Sequence, residues 1–281
     1  MKNKYFILVY QSNKLKKIAK LLRYLLIKKR HFFAKLSSEL NPKTISQVEN
    51  EYKKLGLERN ELLENYRILN EKIGITPKNK LFEVFDNSEH LLVSIALSRI
   101  LPKKIDILEI GTFAGETTTF FSNLFPFSVI DTIDLPKDVI EAQNLYKTSI
   151  DFNFFLEIRS KNTLHSNVFF HEMNSLELFK WTKQYNFIFV DGDHKAPITY
   201  YDLVNAVRLC KKGGFIMVDD VYVNPETDQF SIESRLTLKN GIQIFLNESI
   251  LELVLRVPKR LRAEELLPWK ENYIYLLRKK V

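Results

Sequence analysis

The sequence predicts an α/β protein with a doubly wound, mostly parallel seven-stranded sheet. Short apolar runs alternate with helical patterns over residues 81–281, as expected of a sheet with helices on both faces. Three of these runs end in acids, and another leads into a turn with two glycines. Ligands of open α/β sheets bind beyond the carboxyl ends of the strands, so these residues are the candidates for a functional site.

The first strand and its turn are predicted over residues 107–118, Ile-Leu-Glu-Ile-Gly-Thr-Phe-Ala-Gly-Glu-Thr-Thr. Gly111 and Gly115 allow the chain to bend sharply and to approach a ligand closely. The free N–H groups of the helix that follows would face the same ligand. An ordinary strand-to-helix turn could have this spacing too, so the other strand ends must decide between the two interpretations.

The remaining elements follow at intervals along the chain. Apolar or mixed runs predict strands at residues 129–135, 187–190, 215–218, 251–257 and 273–277, and residues 168–177 are predicted to contain the third strand and its exit. A helix is predicted over residues 198–209, with Gly213 as its C-cap. Residues 224–235 are expected to form a loop.

The second predicted strand ends in Asp134, 19 residues after Gly115. An acid at about this distance from a glycine turn is placed to accept hydrogen bonds from ribose hydroxyls. Asp131 stands earlier in the same strand and is expected to face solvent. Asp134 is therefore a candidate for such a contact.

Acids also follow the fourth and fifth strands, with Asp191 after one and Asp219-Asp220 after the other. If these strands are parallel neighbours, their ends lie about 5 Å apart. The carboxylates would then repel one another, and a hard divalent cation such as Mg²⁺ would remove the repulsion. Alternatively, Asp219-Asp220 caps a turn and Asp191 contacts only a cofactor.

This ordered set of motifs resembles the class I S-adenosylmethionine (SAM) dependent methyltransferases. The acids resemble those of the metal-dependent O-methyltransferases of the catechol, caffeoyl-CoA and macrolide-sugar types. The resemblance implies a Rossmann-like methyltransferase fold over residues 81–281, with SAM and Mg²⁺ or another divalent cation as cofactors. It implies metal ligation by Asp191, Asp219 and Asp220, and SAM contacts from Glu109, Gly111, Thr112, Gly115, Thr117, Asp134, Asn174, Ser175 and Asp191.

Two neighbouring residues qualify as the base that takes the proton of the acceptor hydroxyl. His194 stands where the catechol and caffeoyl-CoA enzymes carry a lysine, and Asp193 stands where related sugar enzymes use an acid. The expected acceptor is a sugar, a glycan or another small polyhydroxylated molecule. Two alternatives stay open: a metal-independent SAM methyltransferase, and a non-catalytic, membrane-docked scaffold with a methyltransferase-like fold.

Residues 1–40 are predicted to form a basic amphipathic arm. Residues 1–38 contain eleven Lys or Arg and no acid, so the rest of the 281-residue chain is close to neutral. From Lys14 to Leu26 the apolar residues share one helical face, which predicts docking on an anionic membrane or a partner, or packing on the domain. Nucleic-acid binding is not expected because the main domain is not basic.

The expected location is cytoplasmic, peripheral at the inner face of the membrane. Cys210 is the single cysteine of the chain, which excludes an internal disulfide and suits a reducing compartment. Residues 41–80 carry two helical patterns separated near Gly56. This helical extension is predicted to cover the substrate mouth or to form a contact in a homo-oligomer.

Overall fold

The structure, a computed structural model, describes residues 42–74, 88–143, 152–193, 196–222, 232–259 and 272–281. Its helices are α1 Pro42–Lys53, α2 Arg59–Ile73, α3 Glu89–Ile100, α4 Glu116–Leu124, α5 Lys137–Gln143, α6 Phe152–Thr163, α7 Ile198–Leu209 and α8 Ile232–Asn247, with a 3₁₀ helix at Ser175–Lys180. Its strands are β1 Asp106–Ile110, β2 Val129–Asp134, β3 Val168–Glu172, β4 Tyr185–Val190, β5 Cys210–Tyr222, β6 Leu251–Pro258 and β7 Asn272–Lys279. The predicted basic arm lies outside the described residues.

The strands form one sheet in the order β3-β2-β1-β4-β5-β7-β6. Strands β1 to β5 pair in parallel, and β7 is antiparallel to both β5 and β6. This confirms the predicted mostly parallel, seven-stranded sheet. The chain moves outward from β1 to β3 and then crosses back to β4, so the crevice for a ligand lies between the carboxyl ends of β1 and β4.

A bulge in the pairing of β4 with β5 corrects one prediction. Tyr185 and Phe187 of β4 pair with Cys210 and Phe215 of β5, so the β5 residues between these pairs lie outside the regular ladder. Gly213 lies in this bulge, with a φ of +78°. The prediction that it caps α7 was wrong, because its conformational freedom serves the bulge instead.

A second irregularity shows that β5 does not end at its acids. The pairing of β5 with β7 shifts register between Val218 and Val221, so Asp219 and Asp220 form a bulge inside the strand. Asp220 has a φ of +53°, in the left-handed region. The predicted loop over residues 224–235 was wrong in part, because α8 begins at Ile232, while residues 223–231 lie outside the described residues.

The core consists of two apolar layers, one on each face of the sheet. Successive residues of a strand point to opposite faces, so Phe187 and Phe189 of β4 enter one layer and Ile188 the other. Phe121 of α4 packs edge-on against both phenylalanines of β4, with ring centroids 5.5 and 5.7 Å apart. The central strands are therefore buried on both faces, as their continuous apolar runs predicted. Within the described ranges, no helix has the length and apolar character needed to cross a bilayer.

The two N-terminal helices, α1 and α2, share one of these apolar layers. Val48 and Tyr52 of α1 are fully buried in it, together with Leu62 of α2. The hydroxyl of Tyr52 donates to a carboxylate oxygen of Glu89 at 2.9 Å, and the partly buried Arg59 forms an ion pair with the same buried carboxylate. The helical extension is thus part of the packed body of the described structure.

Asp131 is buried, although its mid-strand position predicted a solvent-facing acid. Its carboxylate accepts hydrogen bonds from Lys183 at 2.7 Å and from the Tyr185 hydroxyl at 3.0 Å, and it lies 2.9 Å from a ring nitrogen of His171. These partners come from other strands and loops, which is why the local sequence pattern could not indicate them.

Candidate functional site

The glycine turn between β1 and α4 lies against the end of β4. Gly111 has a φ of +101°, and a Cβ atom at this position would lie 2.2 Å from the carbonyl oxygen of Asp191. The sequence assigned this glycine to making room for SAM. The structure gives a second reason, because any side chain there would collide with the backbone of the neighbouring strand end. Gly115 also has a positive φ, of +80°, and directly precedes the first turn of α4.

Asp134 lies beside the glycine turn at the end of β2. Its carboxylate oxygens accept hydrogen bonds from the backbone N–H groups of Phe113 at 2.5 Å and Leu135 at 2.7 Å. The carbonyl oxygen of the preceding residue, Ile133, accepts from the N–H groups of Gly111 and Thr112. The turn and the acid predicted to bind ribose therefore form one hydrogen-bonded unit at the crevice.

Glu109 and the threonines predicted near SAM lie deeper in the protein. Glu109 is fully buried, and one carboxylate oxygen accepts hydrogen bonds from the hydroxyls of Thr118 and Thr132. Burial raises its pKa to about 8, so its carboxyl group holds a proton at neutral pH. Thr112, whose hydroxyl lies 2.6 Å from that of Thr132, and Thr117 in the first turn of α4 are also buried. The described contacts of Glu109 therefore tie β1 to β2 and α4 beneath the turn.

Asn174 and Ser175 begin the 3₁₀ helix after β3. The side chain of Asn174 caps this helix by accepting a hydrogen bond from the N–H of Leu176 at 2.9 Å. Ser175 belongs to its first turn, and both residues are partly exposed. These two predicted SAM contacts therefore lie at the start of a short helix of defined conformation.

Asp202 of α7 was missed by the sequence analysis. It is fully buried, and a Cβ atom at Gly192 would lie 2.9 Å from one of its carboxylate oxygens. Burial raises its pKa to about 7, which the Ser175 side chain partly offsets and the nearby Asp193 reinforces. The acid therefore lies beneath two of the loops that surround the crevice. The only available signal in the sequence was an acid placed among the apolar residues of a predicted helix. Such an acid is unusual because acids are rarely fully buried.

Three acids at the carboxyl ends of β4 and in β5 come together as predicted. Asp191, Asp219 and Asp220 each place one carboxylate oxygen within 4.8 Å of the others. The bulge in β5 allows two successive side chains to reach the same point. Burial, followed by the proximity of Asp219, raises the pKa of Asp191 well above its ordinary value. An all-oxygen donor set of this kind fits a hard divalent cation in its chemistry.

Lys259, which the sequence analysis also missed, contacts this acid cluster. Its ammonium nitrogen lies 2.6 Å from Asp219 Oδ2 and 3.0 Å from Asp220 Oδ1. Burial alone would raise the pKa of Asp219, but Lys259 and the nearby His90 bring it below its ordinary value. In turn, burial would lower the pKa of Lys259, but the three acids raise it, so the ammonium stays charged.

The position of Lys259 could have been found from the strand directions. It directly follows β6, and β6 runs parallel to β5 because β7 is antiparallel to both. Its carboxyl end therefore lies at the same edge of the sheet as the cluster. A lysine two residues after the predicted strand over residues 251–257 was the available signal.

The two candidate bases follow directly after the cluster. Asp193 is exposed and stands two residues beyond Asp191. His194 lies outside the described residues. The choice between them therefore stays open.

Residues 108–221 match the model of a protein family described as a methyltransferase domain. The matched segment begins in β1, contains the glycine turn, and ends just after Asp219-Asp220. The comparison with curated proteins gives no match.

Solved structures align with this chain at low sequence identity. The O-methyltransferase TomG from Streptomyces achromogenes, in complex with SAM, aligns with a TM-score of 0.50 and 17% identity over 76% of this chain and 90% of that one. Cofactor-bound Rv0187 from MTB aligns with a TM-score of 0.50 and 15% identity over 78% and 90%. TrmN from Thermus thermophilus aligns with a TM-score of 0.44 and 14% identity, and the alignment spans about half of its length, 48%, and 67% of this chain. The chain is thus similar to a methyltransferase domain over residues 108–221, and it shares its fold with these solved structures.

Proposed function

We propose that this protein transfers a methyl group from SAM to a hydroxyl of a sugar, a glycan or another small polyhydroxylated acceptor, with Mg²⁺ or another divalent cation as cofactor. One observation carries the proposal. The backbone carbonyl of Asp191 lies against the glycine turn, while its carboxylate belongs to the acid cluster. A methyl donor held by the turn and an acceptor held at the cluster would therefore meet at this residue.

The proposed reaction needs a methyl donor, an acceptor hydroxyl and a base. The acceptor oxygen attacks the methyl carbon of the sulfonium, the carbon–sulfur bond breaks, and the proton of the hydroxyl passes to a base. Asp193 and His194 are the two candidates for that base. When bound, a divalent cation supplies the Lewis acidity that favours loss of the hydroxyl proton. Asp191, Asp219 and Asp220 would hold it.

Binding of the methyl donor can be tested without knowing the acceptor. Calorimetric titration with SAM should show binding to the full chain, and Asp134→Ala should weaken it by about 1–3 kcal/mol because hydrogen bonds to ribose are lost. Asp138→Ala is the matched control, since this exposed acid lies four residues further along, in the first turn of α5. Equal SAM affinity of wild type and Asp134→Ala, with the fold intact, would exclude the proposed ribose contact.

The metal requirement and the acceptor need an activity measurement. Methyl transfer from labelled SAM to a panel of sugars and catechols should disappear with EDTA and return with Mg²⁺. Asp219→Asn should lower this turnover and leave SAM affinity largely unchanged. Full turnover in excess EDTA would instead favour a metal-independent methyltransferase, an alternative that the ion pairs of Lys259 with Asp219 and Asp220 also favour. A chain that binds SAM but methylates no acceptor would favour a non-catalytic scaffold.

We also propose that the basic arm places the enzyme at an anionic membrane surface on the cytoplasmic side. The support is the charge of residues 1–38, eleven basic side chains without an acid, together with the amphipathic pattern from Lys14 to Leu26. A homo-oligomer and the absence of nucleic-acid binding remain predictions from the sequence.

A further inference from the structure

Lys259 is held in place by backbone contacts on two sides. Its N–H donates to the carbonyl oxygen of Asn272 at 2.9 Å, and its carbonyl oxygen accepts from the N–H of Glu89 at 2.9 Å. The first contact continues the pairing of β6 with β7, and the second anchors the residue to the start of α3. The backbone from which the ammonium reaches the acid cluster is therefore fixed.

The ammonium of Lys259 already places a positive charge at the acid cluster. It lies within 3.0 Å of carboxylate oxygens from two of the three acids, and the Lys259 side chain is only 14% exposed. Asn272 adds a further contact, since its side-chain amide donates to Asp220. Part of the donor set that would hold a divalent cation is thus already engaged by groups of the protein itself.

A divalent cation and this ammonium cannot share the cluster closely. Both carry positive charge, and both would be attracted to the carboxylates of Asp219 and Asp220. The repulsion between them would be strong because the site is largely shielded from water. The lysine side chain has four flexible methylene groups, so the ammonium can leave without any change in the fixed backbone.

We propose that Lys259 is a built-in competitor of the divalent cation, so that an ion enters the cluster only when the ammonium moves away from Asp219 and Asp220. This inference rests on the proposed metal-dependent function. It assigns Lys259 as a positioning residue with two effects. Without an ion it holds the acids together, and it sets how tightly an ion binds.

The first test measures binding of Mn²⁺, as a probe for the ion, to the full chain by electron paramagnetic resonance. Lys259→Met should bind Mn²⁺ about tenfold or more tightly than wild type, because coupling between close charges of this kind is strong. Lys211→Met is the matched control, since Lys211 forms a 3.0 Å ion pair with Asp106 near the opposite edge of the sheet, outside the cluster. Its affinity for Mn²⁺ should equal that of wild type. Equal or weaker binding by Lys259→Met than by wild type would overturn the inference.

The second test needs no variant and stands if Lys259→Met does not fold. Lysine acetylation of wild type is followed by mass spectrometry with and without Mg²⁺. Release of the ammonium should raise the acetylation of Lys259 and leave that of Lys211 unchanged. Unchanged or lower acetylation of Lys259 at Mg²⁺ concentrations that saturate binding would overturn the inference.

A SAM titration on the same samples separates this inference from the proposed function. If neither wild type nor Lys259→Met binds Mn²⁺ while SAM binds, the competitor role and the metal requirement both fail, and the methyltransferase assignment stands. If Mn²⁺ binds as predicted and SAM does not, the competitor role stands and the proposed function fails.

Discussion

Asp202→Asn should change how the stability of the protein depends on pH. Asp202 is fully buried beneath Gly192, and burial raises the pKa of its carboxyl group from the ordinary 3.8 to about 7. The folded state therefore binds a proton that the unfolded state releases between these values. The stability that this group contributes is complete below about pH 4 and is lost as the pH rises through about 7.

The magnitude follows from the same two values. Each pKa unit corresponds to about 1.4 kcal/mol, so the difference between 3.8 and about 7 corresponds to about 4 kcal/mol. About 2–3 kcal/mol of this falls between about pH 5 and about pH 8, where the free energy of unfolding is easily measured. An asparagine has the same shape and no charge to acquire, so the variant should not show this loss.

Urea denaturation of wild type and Asp202→Asn over that pH range measures the effect. The side-chain amide of the new asparagine changes stability by an amount that does not depend on pH. The informative quantity is therefore how the difference in free energy of unfolding between the variant and wild type changes with pH. That difference should shift in favour of the variant as the pH rises and level off above about pH 7. Asp138→Asn, at an exposed acid, should show no such trend. A difference for Asp202→Asn that is constant across the range, or that shifts towards wild type, would refute the reasoning.

Further predictions concern the turn, the core and the arm. Gly111→Ala should lower the free energy of unfolding by at least about 2 kcal/mol more than Gly213→Ala, since both glycines have positive φ but only the first would place its Cβ against backbone; equal losses in urea denaturation would contradict this. Arg59→Met should cost about 3–5 kcal/mol in the same measurement because it leaves a buried carboxylate uncompensated, and a loss below about 1 kcal/mol would show that the pair contributes little. Glu109→Gln should gain stability relative to wild type as the pH rises through about 8, the raised pKa of that acid; a difference independent of pH would contradict the assignment. Deleting residues 1–38 should reduce sedimentation with anionic vesicles at low salt, and full-length protein that ignores such vesicles would exclude the membrane role.

The sequence predicted the number of strands and their succession along the chain, because their apolar runs are continuous and end at recognisable residues. It placed Asp191 and the acids of β5 together on the condition that β4 and β5 are parallel neighbours. The structure confirms that these strands pair in parallel and that the three acids lie close to one another. The boundaries of β5 were less predictable. Both of its bulges depend on pairing with neighbouring strands, which no local pattern reports.

The sequence analysis missed two residues of the site for the same physical reason. Lys259 and Asp202 reach the crevice from β6 and α7, far along the chain from the acids and loops that they contact. A motif is a pattern of near neighbours in sequence, so it identifies residues of one turn well. Residues that complete a site from another element are recognised only once the elements have been assembled.

Glu89 connects two regions that the sequence treats as separate. Its carboxylate accepts a hydrogen bond from Tyr52 and forms an ion pair with Arg59, and both partners belong to the helical extension. Its N–H donates to the carbonyl oxygen of Lys259 beside the acid cluster. A shortened chain beginning at residue 81 would therefore lose more than an appendage. It would expose the apolar layer that α1 and α2 cover, and it would leave the buried carboxylate of Glu89 without its two partners. It would also weaken the backbone contact that fixes Lys259 beside the acids. The shortest version of this protein that can be expected to keep this packing therefore includes α1 and α2.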